Sequence, residues 1–228
     1  MTLGCTDLDG YKVFSFDKVS STQTLAHEMV ARGVAQDRIA IVAKSQTAGR
    51  GRYRRNWVSK NGNLYVSFIY DCAVPDSRLA YAIAVAVAET LVQVGVRPTI
   101  KWPNDILIDG KKVCGVLIEY AAPFVIVGIG INVAVAPRLK EYQTTKVNDY
   151  CTTTVAEVFQ KLVRNIDLWR GADFADVRAR WMDLAAGLWR MVRYRGESAQ
   201  LIGIDENGAL VLRRDGTDFL AWGGEIRF

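Results

Sequence analysis

Hydrophobic residues recur along the chain with two spacings, one typical of helices and the other of strands. Four segments are predicted to be helices from their apolar positions and from the cap or stop residues at their ends: 21–33, 78–95, 154–169 and 173–184. Segments rich in β-branched and aromatic residues are predicted to be strands: 38–44, 63–70 and 124–136. Asp109-Gly110 separates two further alternating runs and favours a two-residue hairpin turn. This mixture predicts an α+β domain over residues 1–186.

After Gly187 the pattern changes to short alternating runs. They are separated by the turn dipeptides Asn207-Gly208 and Asp215-Gly216, which is typical of a small antiparallel barrel. About forty residues bury little core on their own, so we expect this second domain, residues 187–228, to pack against the first.

Composition excludes several classes of protein. The chain has 228 residues, of which 50% are apolar and 23% charged, as in ordinary globular proteins. Its longest apolar run, residues 80–88, is too short for a membrane span, and the N-terminus lacks the apolar core of a secretory signal. Four widely spaced cysteines and one histidine favour neither a zinc site nor a disulfide framework. We therefore expect a cytoplasmic protein with reduced thiols and no metal site.

The basic charge is concentrated in one segment. No acidic residue lies between Asp37 and Asp71, whereas that stretch holds seven of the 29 Lys and Arg residues of the chain. The remaining 22 basic and 24 acidic residues give −2, against +5 for the whole sequence with its histidine neutral. Such a localised excess favours an anion site over a surface adapted throughout to nucleic acid.

This basic segment is predicted to be a loop of nearly twenty residues, and it contains the sequence SQTAGRGRYRRNW. Ala48, Gly49 and Gly51 allow sharp turns and expose backbone N–H groups, while Arg50 and Arg52 can grip phosphate or carboxylate. A solvated basic loop and a tether for nucleic acid are the alternatives on local sequence alone. A phosphate-binding P-loop is excluded because no GxxxxGK[ST] follows a strand here.

Residues 101–105, KWPND, form a second candidate element. Lys101 ends an extended run and is followed by a rigid Trp-Pro pair, which fixes its ammonium group where it could neutralise charge on an α-phosphate. A covalent lysyl-nucleotide is disfavoured because the KxDG pattern of nucleic-acid ligases is absent. A plain strand end at the surface is the alternative without chemistry.

Several short motifs occur in an order that resembles the biotin protein ligases. They are SST at 20–22, QTAGRGR at 46–52, Trp57, GNLY at 62–65, KWPND at 101–105, KVCGVLIE at 112–119, GIGIN at 128–132 and WGGEI at 222–226. The resemblance covers nearly the whole chain from about residue 11, and it is to the short form without an N-terminal winged helix. It implies a mixed-sheet, class II synthetase-like catalytic domain followed by a small SH3-like β-barrel, in agreement with the predicted elements.

The resemblance implies a two-step reaction. The biotin carboxylate attacks the α-phosphate of MgATP to give biotinyl-5′-adenylate and pyrophosphate, and a lysine of a biotin carboxyl carrier domain then attacks the activated carbonyl. The loop at 46–57 would close over the intermediate and exclude water. ATP, Mg²⁺ and biotin are thus the implied ligands and the carrier domain the implied partner. Neither nucleic acid nor membrane is expected as a partner, and the family includes monomers and homodimers.

The resemblance also implies roles for individual residues. Lys101 would bridge carboxylate and phosphate, and Arg52 would contain the reactive intermediate. The implied biotin contacts are Ser21, Thr22, Gln46, Gly49, Arg50 and Gly115, and the implied nucleotide contacts are Arg50, Arg52, Arg55, Trp57, Lys101 and Asn132. Tyr53 and Arg54 depart from the usual Arg-Gly of this loop, which affects the path of the lid but not the pocket.

Three residues outside these contacts also carry expectations, and two kinds of alternative function remain. His27 is expected to be an exposed helix residue, Cys114 to pack in the interior, and Asp105 either to deprotonate the acceptor lysine or to orient the loop. Lipoate ligases and octanoyl transferases are the nearest alternatives with the same fold, but they lack the combined GRGR and KWPND motifs. A nucleic-acid-binding module is the alternative from another class, and its affinity would fall steeply with salt.

Overall fold

The computed structural model describes residues 2–228, which contain a large eight-stranded sheet. The strands lie in the order β1-β2-β3-β4-β8-β7-β6-β5. The pair β2–β3 is parallel and the other neighbouring pairs are antiparallel. Their bounds are β1 (Thr2–Leu8), β2 (Tyr11–Val19), β3 (Ile39–Gln46), β4 (Leu64–Asp71), β5 (Thr99–Lys101), β6 (Asp105–Ile108), β7 (Lys111–Ala121) and β8 (Phe124–Ile131). The prediction of an α+β domain with a mixed sheet is confirmed.

Helices cover both faces of this sheet. They are α1 (Thr22–Ala31), α2 (Leu79–Gln93), α3 (Val155–Arg170) and α4 (Phe174–Leu184). On one face α1 packs on β3, β4 and β8, where Ala26 lies in a cluster with Ile39 and Ile41. On the other face α2 and α3 belong to the core that includes Ala40 and Phe68. Because side chains alternate along a strand, a strand covered on both faces is buried at nearly every position, as β4 is.

The predicted elements match the observed ones closely, with one instructive exception. The helix ends differ from the predicted ranges by at most two residues. The strand predicted at 124–136 ends instead at Ile131. Beyond it, Asn63 Oδ1 accepts the backbone N–H groups of Val133, Ala134 and Val135 at 2.9, 3.1 and 3.0 Å, which takes these groups out of the sheet ladder. Among the described residues, no helix has the length and apolar character that a membrane crossing requires.

A second, five-stranded antiparallel sheet follows, in the order β12-β11-β10-β9-β13. Its strands are β9 (Met191–Tyr194), β10 (Glu197–Ile204), β11 (Leu210–Arg214), β12 (Thr217–Ala221) and β13 (Ile226–Arg227). The sheet packs on the first one's helices: Tyr81 Oη donates to the carbonyl of Gly208 at 2.8 Å, and Met182 packs against Gly203. Within residues 2–228 no hydrogen-bonded ladder joins β12 to β13, so closure into a barrel stays a prediction.

Candidate functional site

A cleft opens over the middle of the large sheet, above glycines of β7 and β8. Gly115 on β7 pairs with Gly130 on β8, and Gly128 pairs with Leu117. The indole of Trp57 lies on this surface, since a Cβ added at Gly130 would be 2.5 Å from Trp57 Nε1. Because glycine carries no side chain, these positions form a floor on which a flat ring can lie close to the backbone.

The segment that crosses this floor, residues 46–59, is an ordered ribbon and is named the lid here. Its ends pair at Gln46 and Ser59, and its middle pairs at Arg50 and Asn56. Gly49 is required where the two halves approach, because a Cβ there would be 2.4 Å from the carbonyl oxygen of Trp57. The long loop predicted from the sequence therefore has backbone pairing of its own.

The tip of the lid is a single 3₁₀ turn at Arg52–Arg54. Tyr53 and Arg54 have φ angles of 56° and 59°, in the left-handed region that glycine adopts most easily. The guanidinium groups of Arg52 and Arg55 lie 5.0 and 5.5 Å from the centre of the Tyr53 ring. The departure from Arg-Gly at these positions thus gives a strained tip with an aromatic ring between two arginines.

The beginning of α1 forms a polar wall beside the floor. The backbone N–H of Thr22 donates to Gln46 Oε1 at 2.8 Å, and the hydroxyls of Thr22 and Ser67 are 2.9 Å apart. Ser21 Oγ is buried in this wall without a hydrogen-bond partner, and so is the indole N–H of Trp57 across the cleft. A buried polar group without a partner is costly. A ligand with polar groups at both points would therefore be stabilised.

A cationic part of the cleft lies beside Trp57. Lys112 on β7 has a side chain that is 13% exposed, and its Nζ lies 2.5 Å from Asp105 Oδ1 and 5.3 Å from the centre of the Trp57 ring. Arg52 reaches the same cleft and donates from Nη1 to Asn104 Oδ1 at 3.1 Å. Such a pair of cations can bind a carboxylate or a phosphate next to an apolar ring.

Comparison with known proteins identifies the family. The model of the biotin/lipoate A/B protein ligase family matches residues 15–135. The bifunctional ligase/repressor BirA of Bacillus subtilis is 34% identical over 234 residues, which cover 91% of this chain and 71% of BirA. The chain belongs to the biotin/lipoate A/B protein ligase family. A second member, the biotin–[acetyl-CoA-carboxylase] ligase of Mycobacterium tuberculosis, is 30% identical, with 92% of this chain and 87% of that protein covered.

A solved structure from the same family agrees in fold. The biotin protein ligase from Aquifex aeolicus in complex with biotin and ATP superposes with a TM-score of 0.81 at 26% identity. The superposition covers 94% of this chain and 97% of the Aquifex chain. The likeness therefore includes both sheets of this family member.

Most residues that the resemblance implied line the cleft of this family member. Those that do are Ser21, Thr22, Gln46, Arg50, Arg52, Arg55, Trp57 and Gly115. Gly49 lies instead where the two halves of the lid approach each other, next to the Trp57 carbonyl. Asn132 lines a small adjoining recess; its Nδ2 donates to the Thr145 carbonyl at 3.1 Å and its buried Oδ1 has no partner. The structure thus brings five of the six predicted biotin contacts together around one cleft, all except Gly49.

Lys101 and Lys112 occupy different places. Lys101 lines a neighbouring groove together with Arg55 and Arg227, whereas Lys112 lines both that groove and the cleft. Lys112 had no predicted role, although it begins the KVCGVLIE motif of the ligases. On a regular strand a spacing of three would place Lys112 and Gly115 on opposite faces. The register shift between Ile106 and Leu107 leaves an extra residue in β7 and brings both onto the cleft, so the sequence carried no signal for Lys112 beyond its place in the motif.

Several further cleft residues had no predicted contact role, among them the polar residues Gln23, Asn104, Tyr142 and Glu225. His27, expected to be exposed, is instead half-buried with its Nε2 2.8 Å from Glu119 Oε2. Cys114 packs in the interior as predicted, and its burial raises the pKa of the thiol far above the usual range, which removes it as a nucleophile. Among residues 2–228, no three His, Cys, Asp or Glu side chains cluster so as to hold a metal ion.

Proposed function

We propose that this chain is a biotin protein ligase whose substrates are biotin, MgATP and a biotin carboxyl carrier domain. The observation that carries the proposal is the cleft, which combines a glycine floor under Trp57 with the unpartnered Ser21 Oγ and the ammonium group of Lys112. Biotin has the matching features: a fused cyclic urea with N–H and C=O groups, and a carboxylate tail. Relatives from B. subtilis and M. tuberculosis carry ligase names, and the Aquifex enzyme was solved with biotin and ATP.

In the first step, a carboxylate oxygen of biotin attacks the α-phosphorus of ATP. A P–O bond forms to the carboxylate, the bond to the β-phosphate breaks, and pyrophosphate leaves with the electron pair. Negative charge on the phosphoryl oxygens is best stabilised by a cation that is already fixed in place. We assign this role to Lys112, because it lines the cleft and Asp105 orients it. Arg52, on the lid, would hold the carboxylate and the α-phosphate together.

Lys101 retains a role in nucleotide binding. The groove that it lines adjoins the cleft, and Arg55 lines both. Four cations line the groove, Arg55, Lys101, Lys112 and Arg227, and together they suit the β- and γ-phosphates. Mg²⁺ would enter as MgATP, held mainly by phosphate oxygens, as is usual where a protein supplies few carboxylates. Arg50, Trp57 and Asn132 would complete the predicted nucleotide contacts.

In the second step, the neutral amine of the acceptor lysine attacks the carbonyl carbon of the adenylate. A C–N bond forms, the C–O bond to AMP breaks, and the amine loses a proton. Asp105 is paired with Lys112, so orienting that lysine suits it better than deprotonating the acceptor. The lid would keep water from the mixed anhydride until the acceptor arrives.

The proposal extends to the rest of the molecule. It includes a class II synthetase-like catalytic domain at 1–186, an SH3-like barrel at 187–228, a cytoplasmic location and a monomeric or homodimeric state. The antiparallel sheet at 187–228 and its docking through Tyr81 and Gly208 support the two-domain division.

Transfer of radiolabelled biotin to a purified carrier domain tests the function. We expect label in the acceptor only when MgATP is present, with one pyrophosphate released for each biotin. Lipoate also has a carboxylate tail, but its dithiolane ring offers no N–H or C=O group to Ser21 and Thr22, so it should not be transferred. Transfer of lipoate in place of biotin would overturn the proposal.

A further inference from the structure

Glu119, near the outer end of β7, holds three side chains at once. Its Oε1 accepts from Nη2 of Arg50 on the lid at 2.7 Å. Its Oε2 accepts from Nε2 of Gln23 at 3.0 Å and lies 2.8 Å from Nε2 of His27, both on α1. We propose that Glu119 is a positioning residue that fixes the polar wall and the lid in one arrangement, and that biotin affinity depends on it.

The first part of the argument concerns the orientation of Gln23. A carboxylate only accepts hydrogen bonds, so Gln23, which is 3% exposed, must turn its NH₂ group toward Glu119. Its Oε1 then faces Ser67 Oγ, 2.9 Å away. The Ile126 carbonyl also accepts from Nε2, but at the longer distance of 3.5 Å, so an uncharged group at position 119 would leave the Gln23 amide held less firmly in this orientation.

The orientation of Gln23 sets the polarity of the wall. Ser67 has one hydroxyl hydrogen, and Oε1 of Gln23 can only accept, so Ser67 donates it there. The single hydroxyl hydrogen of Thr22 then points to Ser67 Oγ at 2.9 Å or to Gln46 Oε1 at 3.3 Å, and in either case Thr22 acts as a donor toward the protein. Thr22 is left with free lone pairs, which suit an N–H group of a cyclic urea. The charge of Glu119, acting through Gln23 and Ser67, thus leaves the Thr22 hydroxyl oxygen free to accept a hydrogen bond from a ligand.

The second part concerns the lid. Arg50 belongs to the paired middle of the lid, and its bond to Glu119 ties that middle to β7. Gln46 ties the base, because its Nε2 donates to Ser59 Oγ at 2.8 Å while its Oε1 binds Thr22. An isolated ion pair as exposed as Arg50 and Glu119 would be weak. Here the same carboxylate also holds α1, so its loss loosens the wall and the lid together.

The inference rests on the proposed ligase function and is tested with Glu119→Gln, which keeps the size and removes the charge. We expect the biotin KM, and the biotin Kd measured by calorimetry without ATP, to rise about tenfold, with kcat at saturating biotin changed less than about twofold. Trypsin should also cleave the lid arginines faster. Glu28→Gln is the matched control, since Glu28 is an exposed carboxylate on α1 with no side-chain hydrogen bond or ion pair in the described structure.

The outcomes separate the two proposals. If the wild-type chain releases no pyrophosphate with biotin and MgATP, the ligase function fails. If the wild type is active but Glu119→Gln matches it in biotin Kd and in trypsin cleavage, the positioning role is overturned.

A double-mutant cycle provides a second test that does not depend on the absolute affinity of one variant. Because Glu119 acts partly through Arg50, its effect on the biotin Kd should be smaller in an Arg50→Gln background. Strictly additive effects of the two substitutions would contradict the proposed coupling. Melting temperatures of all variants establish that each one folds.

Discussion

The ammonium group of Lys112 lies 2.5 Å from Oδ1 of Asp105, across the β6–β7 hairpin. The side chains of Lys112 and Asp105 are only 13% and 21% exposed, so neighbouring residues restrict the movement of both partners. Asp105 also ends the KWPND motif, in strand register with Lys101. The motif therefore contributes to the cleft through its aspartate, which orients a lysine from the next strand.

Replacing these two lysines should separate chemistry from nucleotide binding. Lys112→Gln removes the cation placed in the cleft and should slow adenylate formation by about 10²–10³, the usual effect of losing one preorganised donor to developing charge. Lys101→Gln should chiefly raise the KM for ATP. Pyrophosphate release at varied ATP measures both. The reverse ranking, with Lys101 more important for kcat, would return the catalytic role to Lys101.

Arg52→Gly should make the enzyme leak its intermediate. The substitution removes the bond from Arg52 to Asn104, which closes the lid tip against the KWPND segment. Biotinyl-adenylate should then escape and label bystander lysines, measured as biotin incorporated into serum albumin. Arg54→Gly is the control: it removes the same charge from an exposed position where φ of 59° favours glycine, and it should label no more than wild type.

Gly130→Ala should weaken biotin binding without unfolding the chain. The added methyl group would lie 2.5 Å from Trp57 Nε1, so the indole must shift off the floor. Overpacking of this kind costs about 1–3 kcal/mol, which corresponds to a loss in affinity of about 5- to 150-fold if it falls entirely on binding. Calorimetry with biotin measures it. At Gly4 an added Cβ has no atom within 4 Å, so Gly4→Ala should bind normally; equal affinities for both variants would contradict the role of the floor.

Alkaline pH should weaken the junction between the two sheets. Tyr81 Oη donates to the Gly208 carbonyl and accepts from Trp102 Nε1 at 3.0 Å, and burial raises the pKa of Tyr81 to about 12 from an ordinary value of 10.0. The neutral form is favoured by folding, so this stabilisation is complete below pH 10 and is lost as pH rises toward about 12.

Tyr81→Phe tests this pH dependence. At pH 7 the variant should be less stable by about 1–3 kcal/mol, because the Gly208 carbonyl and the Trp102 indole N–H lose their partner. Between pH 10 and 11.5 its stability should fall less steeply than that of the wild type, although other buried tyrosines still titrate. Urea unfolding across this range measures both quantities, and parallel curves would exclude a contribution from Tyr81.

Local pattern was sufficient for much of the fold. The hairpin at Asp109-Gly110 is observed with φ angles of 50° and 72°, as a two-residue turn of that composition requires. Helix ends were predictable because capping and glycine stops act over one or two residues. The end of β8 was not, because it depends on Asn63, a side chain 70 residues away along the chain from Val133.

The candidate site was predictable to the extent that motifs carry it. The ordered motifs predicted most of the residues that line the cleft, but not which of two lysines enters it, because that depends on the pairing of β5, β6 and β7. The partnership of His27 with Glu119 joins residues 92 apart. Helical spacing placed His27 away from the apolar stripe, and nothing local indicated that a carboxylate would meet it there.

The glycine floor limits how the specificity of this enzyme can be altered. Gly115 and Gly130 are paired backbone positions of two interior strands, so deepening the floor would require the sheet itself to separate. The lid is held by a few pairs at its base and middle and can accept new side chains. Biotin analogues enlarged on the side that faces the sheet should therefore fail to bind, whatever the sequence of the lid. Analogues enlarged on the side that faces the lid should become substrates after substitutions at a small number of lid positions.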